Sequence, residues 1–148
     1  MNMQPIRAED AATLVAMMRA MQNDDPWSLP FVEERVRTAV DLLLANPLYG
    51  LAWFIVAEGQ RIGYVILSFD YSLEYGGRNA WVDEFFIERG HRGRGIGAEV
   101  LAFFEQAARE HGCTAIHLEV NEGNRAIDLY RRRGFEDHHR YLMTKLLV

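Results

Sequence analysis

The sequence has only one cysteine, Cys113, among its 148 residues. A single cysteine excludes an internal disulfide, and a reducing, cytoplasmic setting is therefore expected. Proline is also scarce, with four residues in the chain. No segment has the composition of a linker or of a low-complexity tract, and the length is that of one ordinary domain. We therefore predict a single domain over residues 1–148.

Long apolar runs are missing as well. The longest, such as residues 42–45, fall far short of the roughly 20 residues that a membrane-spanning helix needs. The first five residues lack the basic-then-apolar layout of a signal peptide. These absences predict no membrane partner.

Positive charge is in deficit. Sixteen lysines and arginines face 21 aspartates and glutamates, which gives a formal net charge of −5. Nucleic-acid binding relies on clustered basic residues, so this balance argues against a nucleic-acid partner. It is compatible with a small cationic substrate, although a charge of this size also serves solubility alone.

The pattern of apolar and turn residues predicts alternating strands and helices in the order β-α-α-β-β-β-α-β-α-β. Asp10 is expected to cap the first helix, and Gly59-Gln60 to form the first hairpin turn. This order is typical of a three-layer α/β domain with a mixed sheet. The predicted strands cover residues 3–7, 51–58, 61–70, 79–87, 114–120 and 141–147, and the predicted helices cover residues 11–21, 31–45, 96–111 and 124–133.

A glycine-rich turn separates the predicted strand 79–87 from the helix that follows it. A helix start offers unpaired N–H groups and the positive end of the helix dipole, which suits a diphosphate. Glycines let the backbone approach the phosphate oxygens, and arginines add charge-assisted hydrogen bonds. The turn consists of Arg92, Gly93, Arg94, Gly95, Ile96 and Gly97.

Two common diphosphate motifs do not fit this turn. A P-loop requires Lys-Ser or Lys-Thr after its last glycine, whereas Ala98 and Glu99 follow Gly97 here. The dinucleotide-binding fingerprint requires Gly-x-Gly-x-x-Gly in the first βαβ unit. Here the final spacing differs, and the turn lies in the middle of the chain after three earlier strands, not in the first βαβ unit.

Two motifs together resemble those of the GNAT family of N-acetyltransferases. Arg92-x-x-Gly95-x-Gly97 after strand 79–87 is similar to the family's acetyl-CoA motif. Asn124-x-Ala126-x-x-x-Tyr130, followed by Gly134-Phe135, is similar to its second cofactor motif. The resemblance covers residues 80–135 in detail. It implies a GNAT-type fold, acetyl-CoA as the acyl-donor substrate, and transfer of the acetyl group to an amine.

The same resemblance implies roles for individual residues. The strand would splay from its neighbour, and its backbone would contact the pantetheine arm and stabilise the oxyanion. The turn backbone would hold the diphosphate, Asn124 would contact the pantetheine, Ala126 would leave room for it, and Tyr130 would protonate the leaving thiolate. The implied cofactor-binding residues are Phe85, Phe86, Ile87, Arg92, Gly93, Arg94, Gly95, Ile96, Gly97, Ala98, Asn124, Ala126 and Tyr130.

Asp83 and Glu84 are the candidates for receiving the proton of the amine. Successive strand residues face opposite sides of a sheet, so only one of the two can line the site unless a bulge intervenes. The pattern leaves open which of them it is.

The strand Asp83-Glu84-Phe85-Phe86-Ile87 also resembles the diamine (spermidine/spermine) acetyltransferase branch of the family. That resemblance suggests a polyamine, or an amino-acid-like primary amine, as the acceptor. Acidic and aromatic residues could shape a pocket for such an amine, and the candidates are Trp27, Asp70, Tyr71, Glu74 and Tyr75.

Other interpretations of the chain remain open. The acceptor could instead be a protein N-terminus or a lysine, or the chain could be an acetyl-CoA-binding sensor without turnover. The five histidines lack metal-ligand spacing, so no metal is expected. Because dimers are common in the family, the resemblance implies a homodimer.

Overall fold

The computed structural model describes residues 1–147 and has one sheet with helices on both of its faces. The strands are β1 (Asn2–Pro5), β2 (Gly50–Ala57), β3 (Gln60–Ser72), β4 (Gly77–Ile87) and β5 (Ala115–His117). The helices are α1 (Ala11–Met21), α2 (Glu33–Ala45), α3 (Ile96–Glu110) and α4 (Ala126–Arg132). Within the described residues the order is β-α-α-β-β-β-α-β-α.

The five strands lie side by side in their order along the chain. Neighbouring strands among the first four are antiparallel: short turns join β2 to β3 and β3 to β4, whereas α1 and α2 lie between β1 and β2. β5 is parallel to β4 because α3 crosses over between them. The prediction of a three-layer α/β domain with a mixed, mostly antiparallel sheet is therefore confirmed.

Each face of the sheet carries its own hydrophobic core, because side chains alternate along each strand. The α1/α2 face buries the apolar stripe of α1, with Leu14 and Met18, against Phe54 and Tyr64 of the sheet. The α3 face buries a stripe at helical spacing, which consists of Val100, Leu101, Phe104, Ala107 and Ala108. The sheet thus separates two packed layers.

Two predicted local features differ in the structure. The β2–β3 turn is Glu58-Gly59, one residue earlier than expected, with φ of 53° and 77°. A two-residue turn with both φ positive matches the twist of the flanking strands. Asp10 makes no side-chain hydrogen bond to α1. Its carboxylate accepts from the Arg7 N–H at 3.1 Å and pairs with Arg61 at 2.9 Å.

The predicted strand at residues 141–147 is wrong, since no strand follows β5 in the described part of the chain. This segment is rich in apolar residues, but Tyr141 is 96% exposed and Met143 is 89% exposed. A strand requires a partner to satisfy its backbone, and strand propensity alone supplies none. The prediction of a strand at residues 114–120 is confirmed over Ala115–His117 alone.

None of the helices within residues 1–147 has the length and apolar content that crossing a bilayer would require.

Candidate active site

Pairing between the last two strands of the sheet ends halfway along β4, where β5 itself ends at His117. Pairing between β4 and β5 extends from Asn79 to Trp81 on β4. Beyond Trp81, β4 continues to Ile87 with a recorded partner only on its β3 side. Strand backbone groups alternate between the two sides, so part of the N–H and C=O groups of residues 82–87 face this opening. We call the opening the splay.

The turn at residues 92–97 joins the end of β4 to α3. Gly93 and Gly95 have φ of 75° and 81°, which is the left-handed region that favours glycine. The N–H groups of residues 93–97 form no hydrogen bond to any described residue. Free N–H groups at the positive end of a 15-residue helix form a site suited to an anion.

Gly97 serves a different purpose from the other two glycines. A Cβ at this position would lie 3.0 Å from Leu129 Cδ2. The absence of a side chain therefore lets α3 approach α4, which carries Tyr130. The three glycines of the turn accordingly meet two requirements, backbone conformation and close helix packing.

The two arginines of the turn have different surroundings. Arg92 Nε donates to the Ile87 carbonyl at 2.6 Å, and Arg92 Nη2 contacts Asp24 at 2.6 Å. Arg94 is exposed and forms no ion pair with a described residue. The guanidinium of Arg92 is thus already neutralised by a carboxylate of the protein, whereas that of Arg94 is open.

A β-bulge in β4 resolves the alternation of the two acidic residues. Ile66 pairs with Glu84 and Leu67 pairs with Val82, so Asp83 has no partner on β3. The extra residue interrupts the regular alternation of side chains between the two faces of the sheet. Asp83 and Glu84 are therefore not held on strictly opposite faces.

The Glu84 carboxylate is enclosed on the α1/α2 side of the sheet. Its Oε1 accepts from Trp27 Nε1 at 2.7 Å, and its Oε2 accepts from the Tyr64 hydroxyl at 3.0 Å. Burial raises the pKa of Glu84 to about 7, and the nearby charge of Asp83 adds to the rise, while the two hydrogen bonds oppose it. Both oxygens of Glu84 are thus occupied.

Asp83 differs from Glu84 in having an unoccupied carboxylate. It forms no hydrogen bond or ion pair within residues 1–147. Its side chain reaches solvent, yet the surrounding atoms desolvate the carboxylate enough to raise its pKa. Of the two acids, Asp83 is the one free to accept a hydrogen bond from a ligand.

Tyr130 lies in the middle of α4, on the α3 side of the sheet. Its ring packs edge-on against Phe135 with centroids 5.9 Å apart. Burial raises the pKa of Tyr130, and the charge of Asp25 contributes. Its hydroxyl has no hydrogen-bond partner among the described residues. The side chain therefore presents a protonated, unused donor.

Asn124 and Ala126 mark the beginning of α4. The Oδ1 atom of Asn124 accepts from the Ala126 N–H at 2.9 Å, which satisfies one of the helix's free donors. Ala126 is half-buried. Ala126 is the first residue of α4, the helix that carries Tyr130, and Asn124 precedes it. The side-chain oxygen of Asn124 is already occupied by the hydrogen bond to Ala126.

The five residues predicted to shape one amine pocket fall into two groups. Trp27 contacts Glu84. The others lie near the β3–β4 hairpin, where Tyr75 contacts the rings of His117 and His138, and Glu74 pairs with Arg140 at 2.8 Å. Asp70 and Tyr71 are exposed on β3. No contact between Trp27 and this second group is recorded in residues 1–147.

Several residues that adjoin the site are not predicted by the sequence patterns. Asp24 and Asp25 lie between the predicted helices 11–21 and 31–45, and Tyr64 lies inside the predicted strand 61–70. Tyr64 is fully buried, with its hydroxyl on Glu84. A buried tyrosine hydroxyl requires a hydrogen-bond partner, and the acidic residues on the neighbouring strand are the feature of the sequence from which this contact could be predicted. Among the described residues, no group of three or more potential metal ligands occurs.

The fold is that of a one-sheet α/β domain in which pairing between the last two strands ends beside a glycine-rich helix start. The sequence profile of the acetyltransferase (GNAT) family matches residues 8–135. The chain belongs to this family, which confirms the resemblance, and it is therefore an enzyme of the acyltransferase class.

Two curated relatives indicate where in the family it lies. A thialysine N-epsilon-acetyltransferase of Sus scrofa is 32% identical over 138 residues, covering 86% of this chain and 79% of that protein. A spermine/spermidine N(1)-acetyltransferase of Bacillus subtilis (strain 168) is 32% identical over 83 residues, covering 53% and 55%. The match to the second spans only about half of each protein.

Solved structures agree on the fold. An integron cassette protein from the mobile metagenome of Cole Harbour Salt Marsh superposes with a TM-score of 0.84 at 29% identity, covering 99% of this chain and 90% of that one. A predicted acetyltransferase of Clostridium acetobutylicum, solved with acetyl-CoA, gives 0.83 at 22% identity, with 99% and 96% coverage. At that identity the likeness concerns the fold alone.

Proposed function

We propose that the protein transfers the acetyl group of acetyl-CoA directly to a primary amine of a small molecule. The observation that carries this proposal is the unoccupied Asp83 carboxylate on β4 beside the splay. The free N–H groups of residues 93–97 follow beyond the end of the same strand. A diphosphate suits the turn, and an amine suits the acid.

The donor's contacts follow from the free groups of the site. The N–H groups of residues 93–97 and the Arg94 side chain would hold the diphosphate, with Ala98 in the first turn of α3. Backbone groups of Phe85, Phe86 and Ile87 that face the splay would hold the pantetheine arm. Asn124 would use its Nδ2 atom, and Ala126 would leave space.

The reaction requires a neutral amine, a stabilised oxyanion and a protonated leaving group. Asp83 accepts the proton of the ammonium, directly or through a water, and the amine nitrogen forms a bond to the thioester carbon. A backbone N–H in the splay stabilises the oxyanion. The carbon–sulfur bond then breaks and the Tyr130 hydroxyl gives its proton to the thiolate. The new amide nitrogen loses its extra proton, which returns to the Tyr130 phenolate through water.

A polyamine or an amino-acid-like amine is the proposed acceptor class. The negative charges of Asp83 and Asp25 both lie close enough to raise the pKa of Glu84, and the charge of Asp25 also raises that of Tyr130, so these acids would form an acidic surround for a cation. The relatives named for thialysine and for spermine and spermidine support small cationic amines. Trp27 would contribute an aromatic edge to the pocket.

The deciding experiment incubates the protein with acetyl-CoA and a panel of spermidine, spermine, thialysine, free amino acids and lysine-containing peptides. Mass spectrometry of the products should find an acetyl group on one of the small amines. Acetylated peptides alone would contradict the proposed acceptor class. Tight acetyl-CoA binding with no product from any member would indicate a sensor.

Asp83→Asn tests the role of the open carboxylate in the same assay. We expect kcat/KM for the amine to fall about a hundredfold, because general-base assistance is worth roughly this much. Asp41→Asn, on the exposed surface of α2, is the matched control and should change little. An Asp83→Asn enzyme with undiminished turnover and an unchanged pH profile would remove Asp83 from the mechanism.

A homodimer in a cytoplasmic setting completes the proposal. The exposed apolar side chains of the last described residues, among them Leu142 and Met143, offer area that a second chain could cover. Light scattering should give the mass of two chains, and a mass of one chain would contradict the dimer.

A further inference from the structure

The loop after α1 contacts three separate segments around the site. We call residues 22–27 the strap. Trp27 reaches Glu84 on β4, and the Asn121 side chain, beyond β5, donates to Asp25 at 2.8 Å. Asp24 contacts Arg92, the first residue of the glycine-rich turn, and Arg89, three residues before it. The strap therefore connects the turn to the acidic pocket.

Asp24 provides the connection to the turn. Its Oδ1 lies 2.5 Å from Arg89 and its Oδ2 lies 2.6 Å from Arg92, so each oxygen holds one guanidinium. The Asp24 side chain is only 14% exposed, whereas that of Arg89 is 74% exposed. Isolated surface pairs contribute little, but one enclosed carboxylate that holds two cations fixes three side chains together.

The backbone on both sides of this contact is ordered by short hydrogen bonds. The Asp24 N–H donates to the Met21 carbonyl at 2.8 Å, at the end of α1. Arg92 Nε holds the Ile87 carbonyl at the end of β4, and the His91 N–H donates to the Glu88 carbonyl at 2.9 Å. Asp24 thus joins two well-defined segments that lie 68 positions apart along the chain.

We infer that Asp24 is a positioning residue: through Arg92 it orients the glycine-rich turn for the diphosphate, and through the strap it holds Trp27 against Glu84. The inference rests on the proposed function, because the turn is taken as the diphosphate site. Asp24 lies outside both cofactor motifs, and its contacts fix the glycine-rich turn relative to the Trp27–Glu84 pair.

Charge alone predicts the opposite effect on donor binding, which makes the inference testable. Removing the negative charge of Asp24 leaves Arg89 and Arg92 unneutralised near the diphosphate, and Coulomb attraction would then tighten CoA binding. Loss of positioning would instead weaken it. The sign of the change in affinity therefore separates the two effects.

The first measurement is CoA binding by calorimetry to the wild-type protein, Asp24→Asn, Asp24→Glu and Asp41→Asn. Asp41 pairs with Arg37 on the exposed surface of α2, which makes it a matched control. We expect Asp24→Asn to weaken CoA binding about tenfold, the usual size of a coupling between sites, and Asp24→Glu to recover part of the loss. Unchanged or tighter binding by Asp24→Asn overturns the inference.

The second measurement needs no ligand and keeps the inference separate from the proposed function. Hydrogen exchange of the free protein is compared between wild type and Asp24→Asn. We expect faster exchange at the amides of residues 24–25 and, together with them, at His91 and Arg92. Faster exchange confined to residues 24–25 overturns the link to the turn. Failure of the wild-type protein to bind CoA would contradict the proposed function alone.

Discussion

The Glu84 carboxylate is largely enclosed and accepts one hydrogen bond on each oxygen, from Trp27 and from Tyr64. Its ionisation in the folded state is therefore unfavourable, and its pKa rises to about 7. Asp83, one position earlier, keeps an unoccupied carboxylate because of the bulge. Two adjacent acids thus receive different tasks from their surroundings, one structural and one for the ligand.

The raised pKa of Glu84 predicts how stability depends on pH. The folded state holds the Glu84 proton up to about pH 7, whereas an unfolded chain releases it near pH 4.5. Between these values the folded state binds more protons, so the free energy of unfolding should fall as pH rises, by up to about 3 kcal/mol. Above pH 7 this contribution is constant.

Glu84→Gln should remove most of this pH dependence. The measurement is urea unfolding at about pH 5 and about pH 8, with the difference between the two free energies compared across variants. Glu136→Gln, on an exposed residue, is the control and should keep the wild-type difference. An identical difference in Glu84→Gln would show that the pKa of Glu84 is not raised by folding.

Tyr130→Phe tests the hydroxyl without disturbing the ring. The ring contact with Phe135 remains, and the hydroxyl has no partner among residues 1–147, so stability should change little. Loss of the proton donor should lower kcat at saturating acetyl-CoA and amine by about ten- to a hundredfold.

CoA binding by calorimetry should be unaffected in Tyr130→Phe, which separates chemistry from binding. Tyr49→Phe, on an exposed residue, is the control. A normal kcat in Tyr130→Phe would mean that the thiolate leaves without this donor.

The turn before α3 depends on the backbone conformation of its glycines. Gly95 has φ of 81°, so an added Cβ costs about 1–2 kcal/mol in this conformation. Gly95→Ala should therefore rotate the N–H groups away from their common direction and weaken CoA binding at least tenfold. Gly90→Ala is the control, because Gly90 has an ordinary φ and open space for a Cβ. Equal CoA affinity in both variants would exclude the turn as the diphosphate site.

The sequence allowed α3 and the turn to be predicted well, for a physical reason. The helix has a sustained apolar stripe from Val100 to Ala108, and its start coincides with glycines, so periodicity and turn chemistry agree. The segment 141–147 has apolar residues but no such agreement. Whether it becomes a strand depends on a partner that local sequence does not specify.

The candidate site was predictable only in part. The two cofactor motifs are local patterns, so they point to the turn and to Tyr130 directly. The bulge at Asp83 and the Trp27 contact to Glu84 depend on how distant segments meet. The Asp24 contact to Arg92 joins residues 68 positions apart, and nothing in either neighbourhood predicts the pairing.

In the proposed function, the two substrates approach different sides of the sheet. The α3/α4 side carries the glycine-rich turn and Tyr130, which are the proposed donor contacts. The α1/α2 side carries Trp27 and Tyr64, both hydrogen-bonded to Glu84, which adjoins Asp83, the proposed acceptor of the amine proton. The splay is where the two sides meet, because β4 there lacks a neighbour. Transfer across a gap between strands avoids any passage through a packed core.

The net charge of −5 adds a long-range effect to this arrangement. A negative field attracts a cation in proportion to its charge, and salt screens the attraction over about 10 Å at 0.1 M. Raising NaCl from about 0.02 to about 0.3 M, at saturating acetyl-CoA, should therefore lower kcat/KM for spermidine several-fold. Thialysine carries less positive charge, so its kcat/KM should fall less steeply. Equal slopes for the two amines would mean that only short-range contacts in the pocket select the acceptor, and that the overall charge has no part in its capture.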